Sequence, residues 1–411
     1  MASRVASFQI GGMASSRSPE MILDPHQEVE LTVVMPCLNE ADTLEPCISA
    51  AQSALHEGGI RGEIVVADNG STDGSQDIAR RMGARVEPVA EKGYGAALMG
   101  GIEKARGRFI LMGDSDESYD FHEIPRFVEK LREGFDLVQG CRLESGGGTV
   151  KSGAMPFLHR HLGNPLFSWL ARWWFRAPIH DIHCGMRAFR ADFYRSLGLK
   201  CTGMEFASEM IIKATLQRGS IAEVPITLHP DGRISHEAHL RTFRDGWRHL
   251  RFFLLFSPRW LFLAPGMALI LSGIVGFLIA MPRLTISGVE FDVHTLLFSG
   301  LFMIVGYMAV LFGLFTKMFA ISEGLLPADS RVTRLSRTIS LERGLALGLL
   351  VFLAGGMLLA VAVNQWRIVE FGGLDYQSTM RWVIPGATLA VLGVQTVFSS
   401  FFMGVLGLSR R

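Results

Sequence analysis

Charged side chains are absent from four long stretches in the second half of this 411-residue chain. No Asp, Glu, Lys or Arg occurs at residues 260–282, 293–316, 344–366 and 382–409. A helix needs about 20 apolar residues to cross a membrane. One such run could be a buried core helix, but four in series exclude an ordinary soluble protein. We therefore predict four transmembrane helices at these positions.

Cysteine is scarce, and the few that occur form no Cys-x-x-Cys pair. All five precede the predicted membrane helices, at Cys37, Cys47, Cys141, Cys184 and Cys201. This excludes a disulfide-rich scaffold and favours reduced thiols in a cytoplasmic domain. Residues 1–27 lack the continuous apolar core of a signal peptide. We expect them to form a disordered tail.

Lys and Arg are few in two of the three loops between the predicted membrane helices. Those loops carry only Arg283 in one and Arg367 and Arg381 in the other. The middle loop and the tail are richer in basic residues, namely Lys317, Arg331, Arg334, Arg337, Arg343, Arg410 and Arg411. Because such residues accumulate on the cytoplasmic side, we predict an integral protein of the cytoplasmic membrane. The large N-terminal domain and both termini should be cytoplasmic.

The N-terminal part alternates strand-like and helix-like segments. Strand patterns occur at residues 31–35, 63–68, 84–88, 108–113 and 136–140, and helical patterns at 41–56, 75–82, 95–105 and 122–132. Such β-α alternation predicts a mostly parallel, Rossmann-like sheet covered on both faces. We therefore predict an α/β domain at residues 28–238.

Three polar clusters follow strands of this predicted sheet, at the edge where α/β proteins bind ligands. They are residues 36–40, 68–73 and 114–116. Asp114 and Asp116 are spaced i, i+2 after an apolar strand, so their side chains point the same way. Paired carboxylates favour a bound Mg²⁺ or Mn²⁺. Solvated loop carboxylates are the alternative. Lys92, in a Gly-containing loop, offers donors to a diphosphate.

The order of these motifs resembles that of a known family. The segments V-V-M-P-C-L-N-E, I-V-V-A-D-N-G-S-T-D and K-G-Y-G-A-A-L, followed by D-x-D, are similar to those of inverting family 2 glycosyltransferases with the GT-A fold. More narrowly, the chain resembles dolichol-phosphate and polyprenyl-phosphate sugar synthases. The resemblance implies that Asp114 and Asp116 hold the metal. It also implies a nucleotide-sugar site formed by Pro36, Leu38, Asn39, Glu40, Asp68, Lys92 and Asp114.

The chain departs from the family pattern at several positions. Asn69 stands where a second Asp is common, and Ser118 where some members have a Gln that assists at the metal. The segment from Cys184 to Arg187 resembles the family's S-G-F-R with two substitutions. We expect Asp116, Asp181, Arg142 and Arg187 to form the catalytic set. Asp181 either orients a substrate or has a structural role.

A basic, aromatic helical pattern precedes the first membrane span, and we predict an interfacial amphipathic helix at residues 239–258. Its apolar positions include Phe243, Trp247 and Leu254, beside an arginine stripe. Such helices lie in membrane surfaces, although packing on the domain is the alternative. A second candidate spans residues 157–175, and Pro165 should split it.

We expect transfer of a hexose from a sugar nucleotide, UDP-glucose-like or GDP-mannose, to a polyprenyl phosphate at the membrane. The acceptor phosphate is already largely ionised at neutral pH. Arginines match phosphate geometry, and Arg142, Arg187 and Arg233 are the candidates. Each could instead form a surface salt bridge. We assign Arg233 to the acceptor phosphate and not to the sugar-nucleotide donor.

Three alternatives remain open from the sequence. One is a processive polysaccharide synthase, which would carry a Q-x-x-R-W motif that is missing here. Another is a catalytically silent membrane scaffold, which would transfer no sugar. The segment from His180 to Cys184 could be a zinc site, but no second ligand pair accompanies it. We expect no nucleic-acid partner and leave homo-oligomerisation open.

Overall fold

The computed structural model describes residues 28–234, 242–286, 288–323, 326, 329 and 340–407. The predicted tail at residues 1–27 lies outside this part of the chain. So do residues 235–241, most of the basic loop between the second and third membrane spans, and residues 408–411.

One seven-stranded sheet organises the N-terminal domain. Besides its seven strands, the domain contains a separate pair, β6 and β9. In chain order the strands are β1 (Leu31–Cys37), β2 (Gly62–Asp68), β3 (Arg85–Pro88), β4 (Phe109–Met112), β5 (Leu137–Cys141), β6 (Thr149–Val150), β7 (Arg187–Arg190), β8 (Ile221–Pro225) and β9 (Thr227–Leu228). The sheet order is β3-β2-β1-β4-β7-β5-β8, and β6 pairs separately with β9. Only β7 runs antiparallel to its sheet neighbours. The predicted mostly parallel sheet is confirmed, with all five predicted strands present.

Helices cover both faces of the sheet. They are α1 (Leu44–Glu57), α2 (Ser75–Arg81), α3 (Tyr94–Glu103), α4 (Ile124–Arg132), α5 (Asn164–Leu170), α6 (Ala191–Leu197) and α7 (Phe206–Leu216). Alternate residues of β1 enter different cores, because strand side chains alternate between faces. Val33 and Met35 pack with α1 and α4, whereas Val34 packs with α3 and α7. This double burial explains why β1 is a continuous apolar run.

The segment at residues 157–175 is helical, and Pro165 does not split it as predicted. Instead, π-helical turns at His159–Gly163 and Ala171–Phe175 flank α5. A π turn bonds each N–H one residue further back and so accommodates the proline near the start of α5. The exposed stripe of this segment is apolar and consists of Phe157, Leu158, Leu162, Leu166, Trp169 and Trp173.

The helix before the membrane, α8 (Thr242–Phe256), packs on the domain along one face. Phe253 is fully buried against Phe167 and Phe175, and His249 accepts or donates a 3.1 Å hydrogen bond with Ser208. The face of α8 that carries Phe253 and His249 therefore packs on the sheet domain and does not lie in the membrane surface. Trp247 and Leu255 are exposed on the other side, as a membrane-surface helix requires.

Four helices in the described part of the chain are long and apolar enough to cross a membrane, as predicted. These candidate spans are Arg259–Ala280, Val293–Ser322, Leu341–Ile368 and Tyr376–Leu406. They contain α9 (Ala264–Ala280), α10 (Val293–Ser322), α11 (Leu341–Ile368) and α12 (Tyr376–Gly407), with a hairpin of β10 (Thr285–Ile286) and β11 (Val289–Glu290) before α10. Each observed helix begins close to its predicted span, and the last begins six residues earlier.

Glycines allow the membrane helices to approach one another closely. A Cβ at Gly355 would lie 2.5 Å from the backbone nitrogen of Ala390, so α11 and α12 touch backbone to backbone. Small residues at such contacts are typical of membrane helix pairs. At one end of the bundle, Arg381 donates to the carbonyls of Ala280 and Met281 and pairs with Asp292. These contacts fasten α12 to the α9–α10 connection.

Candidate active site

The first two polar clusters meet because β1 and β2 end side by side, with Cys37 beside Asp68. Asn39 has a φ of +60°, and its Oδ1 accepts a 2.9 Å hydrogen bond from the Thr72 amide. Asp68 accepts bonds from the Gly70 amide at 3.1 Å and the Gln76 side chain at 2.7 Å. The predicted nucleotide residues therefore form one connected edge, with Pro36 and Leu38 half-buried along it.

Asp114 is the more deeply set of the paired carboxylates that follow β4. Its Oδ1 accepts a 2.8 Å hydrogen bond from the Tyr94 hydroxyl. Burial, together with the neighbouring charge of Asp116, raises the pKa of Asp114 to about 7. Asp116 accepts a 3.1 Å bond from the Ser118 amide through one oxygen. Ser118 thus supports Asp116 in the position where related proteins place a metal-assisting Gln.

Arg233 lies among residues predicted to bind the sugar nucleotide and the metal, and its assignment to the acceptor phosphate stays a prediction. Its guanidinium pairs with Glu40 at 2.6 and 2.8 Å, with Asp116 at 3.1 Å and with Asp231 at 2.6 Å. The Gly232 amide also bonds to the Asp116 carbonyl at 3.0 Å. We call Glu40, Asp114 and Asp116 the acidic cluster. The segment that carries Arg233 is therefore bonded directly to this cluster.

The acidic cluster fits a divalent cation by its chemistry. Carboxylate oxygens are the ligands that Mg²⁺ and Mn²⁺ prefer, and two of them here share a buried site. A positive group already neutralises this cluster, because Arg233 bridges Glu40 and Asp116. Asp114 and Asp116 would hold the cation. No group of three or more His, Cys, Asp and Glu side chains in the described residues is arranged as a metal site.

Arg142 and Asp181 form a buried ion pair at the end of β5. Arg142 donates to Asp181 through Nε at 2.7 Å and through Nη2 at 2.9 Å, and its own amide adds a third bond at 3.1 Å. Asp181 is fully buried and Arg142 nearly so. Both oxygens of Asp181 accept bonds from Arg142, so Asp181 orients the arginine. Of the two expected roles for Asp181, these contacts favour the structural one.

Arg187 is also unable to reach an acceptor phosphate. It is fully buried and donates to the backbone carbonyls of Ala207 at 2.7 Å and Cys184 at 2.5 Å. Its role is to brace the chain around Gly185, and its expected catalytic contact is withdrawn. Gly185 has no room for a side chain, because a Cβ there would lie 2.7 Å from Asp114 Oδ2 and 3.1 Å from the Tyr119 ring.

The side chains of the suspected zinc segment bind different partners. His180 Nδ1 lies 2.7 Å from Glu223, and His183 Nδ1 lies 3.0 Å from Asn164. Burial and the neighbouring His249 hold the pKa of His183 well below its usual value. These contacts indicate structural roles around the ion pair of β5.

Two tyrosines of the site were missed by the sequence reasoning. Tyr94 contacts Asp114, and the Tyr119 oxygen accepts a 2.7 Å bond from the Gly185 amide and a 3.4 Å bond from Arg142. Tyr94 stands within the quoted K-G-Y-G-A-A-L segment, and Tyr119 follows the D-x-D pair by three residues. Lys92, predicted to meet the diphosphate, binds the carbonyl of Asn69 at the mouth of the site.

Two family models match the chain. The model of glycosyl transferase family 2 matches residues 32–198, and the model of the glycosyltransferase family 2 C-terminal transmembrane region matches residues 314–407. These matches fall on the sheet domain and on the second half of the membrane domain.

Among known proteins, the chain is 39% identical to the low-salt glycan biosynthesis hexosyltransferase Agl6 of Haloferax volcanii. That match covers 94% of this chain and 92% of the relative. A dolichyl-phosphate hexose transferase of the same organism is 33% identical over 48% of this chain and 82% of its own length. Glucosyl-3-phosphoglycerate synthase of Mycobacterium tuberculosis, solved with Mn²⁺ and UDP, is 24% identical. That structural match covers 55% of this chain and 78% of the other, with a TM-score of 0.42.

Removing one partner of the β5 ion pair should be far more costly than removing both. Asp181→Ala leaves Arg142 buried without its partner, and we expect a loss of about 3–5 kcal/mol in the free energy of unfolding. The double variant Arg142→Met/Asp181→Leu should recover most of this stability yet remain inactive. Denaturant unfolding of the purified protein in detergent measures both changes.

Asp192→Ala is the matched control, because it removes an exposed pair with Arg190. Such pairs contribute about 0–1 kcal/mol. If Asp181→Ala lowers the free energy of unfolding no more than Asp192→Ala does, the ion pair of Arg142 and Asp181 is not required for the stability of the fold.

Proposed function

The chain belongs to glycosyltransferase family 2, and we propose that it transfers a hexose from a nucleotide diphosphate sugar to a polyprenyl phosphate. The single observation that carries this proposal is the acidic cluster of Glu40, Asp114 and Asp116 beside the buried Arg142. Asp114 experiences the charges of both Arg142 and Arg233. A candidate cation site and a candidate anion-binding arginine would therefore both lie near Asp114.

The donor side of this site would hold the sugar nucleotide. Asp68 and Asn39 shape the edge that receives the nucleoside, and Asp114 and Asp116 would hold Mg²⁺ or Mn²⁺ near its diphosphate. When bound, this cation supplies Lewis-acid neutralisation of the departing diphosphate. Arg233 adds positive charge at the same place and would exchange Glu40 or Asp116 for a diphosphate oxygen. No residue in the described part of the chain distinguishes UDP-glucose from GDP-mannose.

Arg142 is the best-placed residue for the acceptor phosphate. Asp181 fixes one side of its guanidinium, which leaves Nη1 with only a long contact to Tyr119. A guanidinium held in this way is preorganised for a phosphate oxygen. Since a lipid phosphate is largely ionised at neutral pH, orientation and charge neutralisation suffice, and no strong general base is required.

The surface around the site supports a lipid acceptor. The stripe from Phe157 to Trp173 is apolar and exposed, and the rings of Trp173 and Trp260 are in tilted contact with centroids 4.2 Å apart. This contact joins the sheet domain to the first membrane span. An exposed apolar stripe continuous with a membrane helix is expected to enter the lipid interface. A polyprenyl phosphate would then present its phosphate close to Arg142.

Transfer should require both the metal and Asp116. Asp116→Asn should lower kcat by about a hundredfold or more, because the developing charge loses its preorganised stabilisation. The assay incubates purified protein, a panel of sugar nucleotides and a polyprenyl phosphate with Mg²⁺ or Mn²⁺, and separates lipid-linked products. Asp120→Asn is the matched control, since Asp120 bonds to the amide and the ring of His122 at the turn before α4.

The products also separate the alternatives. One sugar on the lipid supports the proposal, a polymer would indicate a processive synthase, and no transfer with any donor would indicate a scaffold. Full activity in excess chelator would refute the metal site.

We propose that the sheet domain faces the cytoplasm together with the loop between α10 and α11. Lys317 and Arg343 flank that loop at the ends of the two helices. The other two loops carry only Arg283, Arg367 and Arg381. The bias of Lys and Arg thus favours a cytoplasmic sheet domain.

Cysteine labelling tests this orientation. With the native cysteines replaced, Gly373→Cys should react with an impermeant reagent applied to intact cells, whereas Leu325→Cys should react only after lysis. Gly373 has open space for a side chain, which makes it a tolerant site. The reverse pattern would invert the topology.

A further inference from the structure

The first residue of α3 supplies a hydroxyl to the acidic cluster, and none of the motif assignments gave it a role. Tyr94 donates a 2.8 Å hydrogen bond to Asp114 Oδ1. The other oxygen, Oδ2, lies on the side of Gly185, where a Cβ would be 2.7 Å away. Tyr94 therefore engages Oδ1, and the absence of a side chain at Gly185 leaves the space that Oδ2 occupies.

The loop before Tyr94 holds the hydroxyl in place. Asn69 donates from Nδ2 to the carbonyls of Val89 at 3.0 Å and Glu91 at 2.7 Å. Its Oδ1 accepts a 2.9 Å bond from the Gly93 amide. The Asn69 side chain thus holds the backbone of residues 89–93, which lead into α3. This gives a physical reason for an amide at position 69, because a carboxylate could not donate to these carbonyls.

Gly93 brings this loop against its neighbour. It has a φ of +140°, and a Cβ there would lie 2.3 Å from the Thr202 carbonyl oxygen. The Ala96 amide donates to the same carbonyl at 3.0 Å. The backbone at the start of α3 is therefore held on both sides, by Asn69 and by Thr202, and the Tyr94 hydroxyl bonds to Asp114 from this position.

We propose that Tyr94 is a positioning residue for the divalent cation, acting through Asp114. Hydrogen bonds to the far oxygen of a ligating carboxylate set its orientation, and loss of such a partner typically lowers metal affinity by about 10–100-fold. The inference rests on the proposed function, because it assumes that Asp114 and Asp116 hold the cation. It adds the group that presents Asp114 to that cation.

Tyr94→Phe tests the proposal, since it removes the hydroxyl and keeps the ring. Mn²⁺ binding is measured directly from the free-Mn²⁺ signal in electron paramagnetic resonance, with UDP present. We expect the Kd for Mn²⁺ to rise about tenfold. The Mn²⁺ concentration for half-maximal transfer should rise equally, while kcat at saturating Mn²⁺ stays within about twofold of wild type.

Tyr194→Phe is the matched control, because Tyr194 stacks on Phe189 with ring centroids 5.1 Å apart, away from the acidic cluster. It should leave Mn²⁺ affinity unchanged. Asn69→Ser is a second, independent variant that loosens the loop without altering the ring, and it should weaken Mn²⁺ binding in the same direction. A thermal melt of each variant shows that the fold is retained.

The outcomes separate this inference from the function on which it rests. If the wild-type protein binds Mn²⁺ and Tyr94→Phe binds it with the same affinity, the proposed role of Tyr94 is overturned and the proposed function is not. A large fall in kcat at saturating Mn²⁺ would also overturn it, because Tyr94 would then act on substrate. Wild-type protein that neither binds Mn²⁺ nor transfers a hexose would overturn both.

Discussion

The electrostatic balance of the acidic cluster is the constraint on which the site depends. The end of β4 places Asp114 and Asp116 together, and burial raises the pKa of Asp114 to about 7. Like charges in such a place require positive charge nearby. Arg233 provides it by bridging Glu40 and Asp116, and the segment that follows β9 is thereby fastened over the donor edge. A divalent cation and a diphosphate would restore the same balance with different partners.

A second electrostatic pair sets the other side of the site. Asp181 neutralises Arg142 in a buried position and fixes the direction of its guanidinium. Tyr119 then connects this pair to Gly185, and Gly185 in turn leaves room for Asp114. The antiparallel strand β7 makes this possible, since it brings the segment around Gly185 between β4 and β5. The residues proposed for the donor and the acceptor thus lie along one edge of the sheet.

The sequence predicted the architecture well because its signals are local. Apolar runs mark the strands and spans, and the i, i+2 carboxylates follow from strand geometry. Arg187, Asp181 and Arg233 could not be placed in this way, because their partners Ala207, Arg142 and Glu40 lie 20, 39 and 193 residues away in the chain. A motif gives residue types but no direction of a side chain. Phe253 shows the same limit, since the sequence predicts an interfacial helix, with packing on the domain as the alternative, and only the structure shows that this ring is buried.

Mn²⁺ titration of the purified protein tests the central claim most directly, namely that the two aspartates form a cation site in which Arg233 holds the competing charge. With UDP present, wild type should bind one Mn²⁺ per chain, and Asp116→Asn should lose this binding. Without nucleotide, Arg233→Gln should bind Mn²⁺ more tightly than wild type, because a competing positive charge has been removed. Equal Mn²⁺ binding by wild type and Asp116→Asn, or weaker binding by Arg233→Gln without nucleotide, would contradict the account.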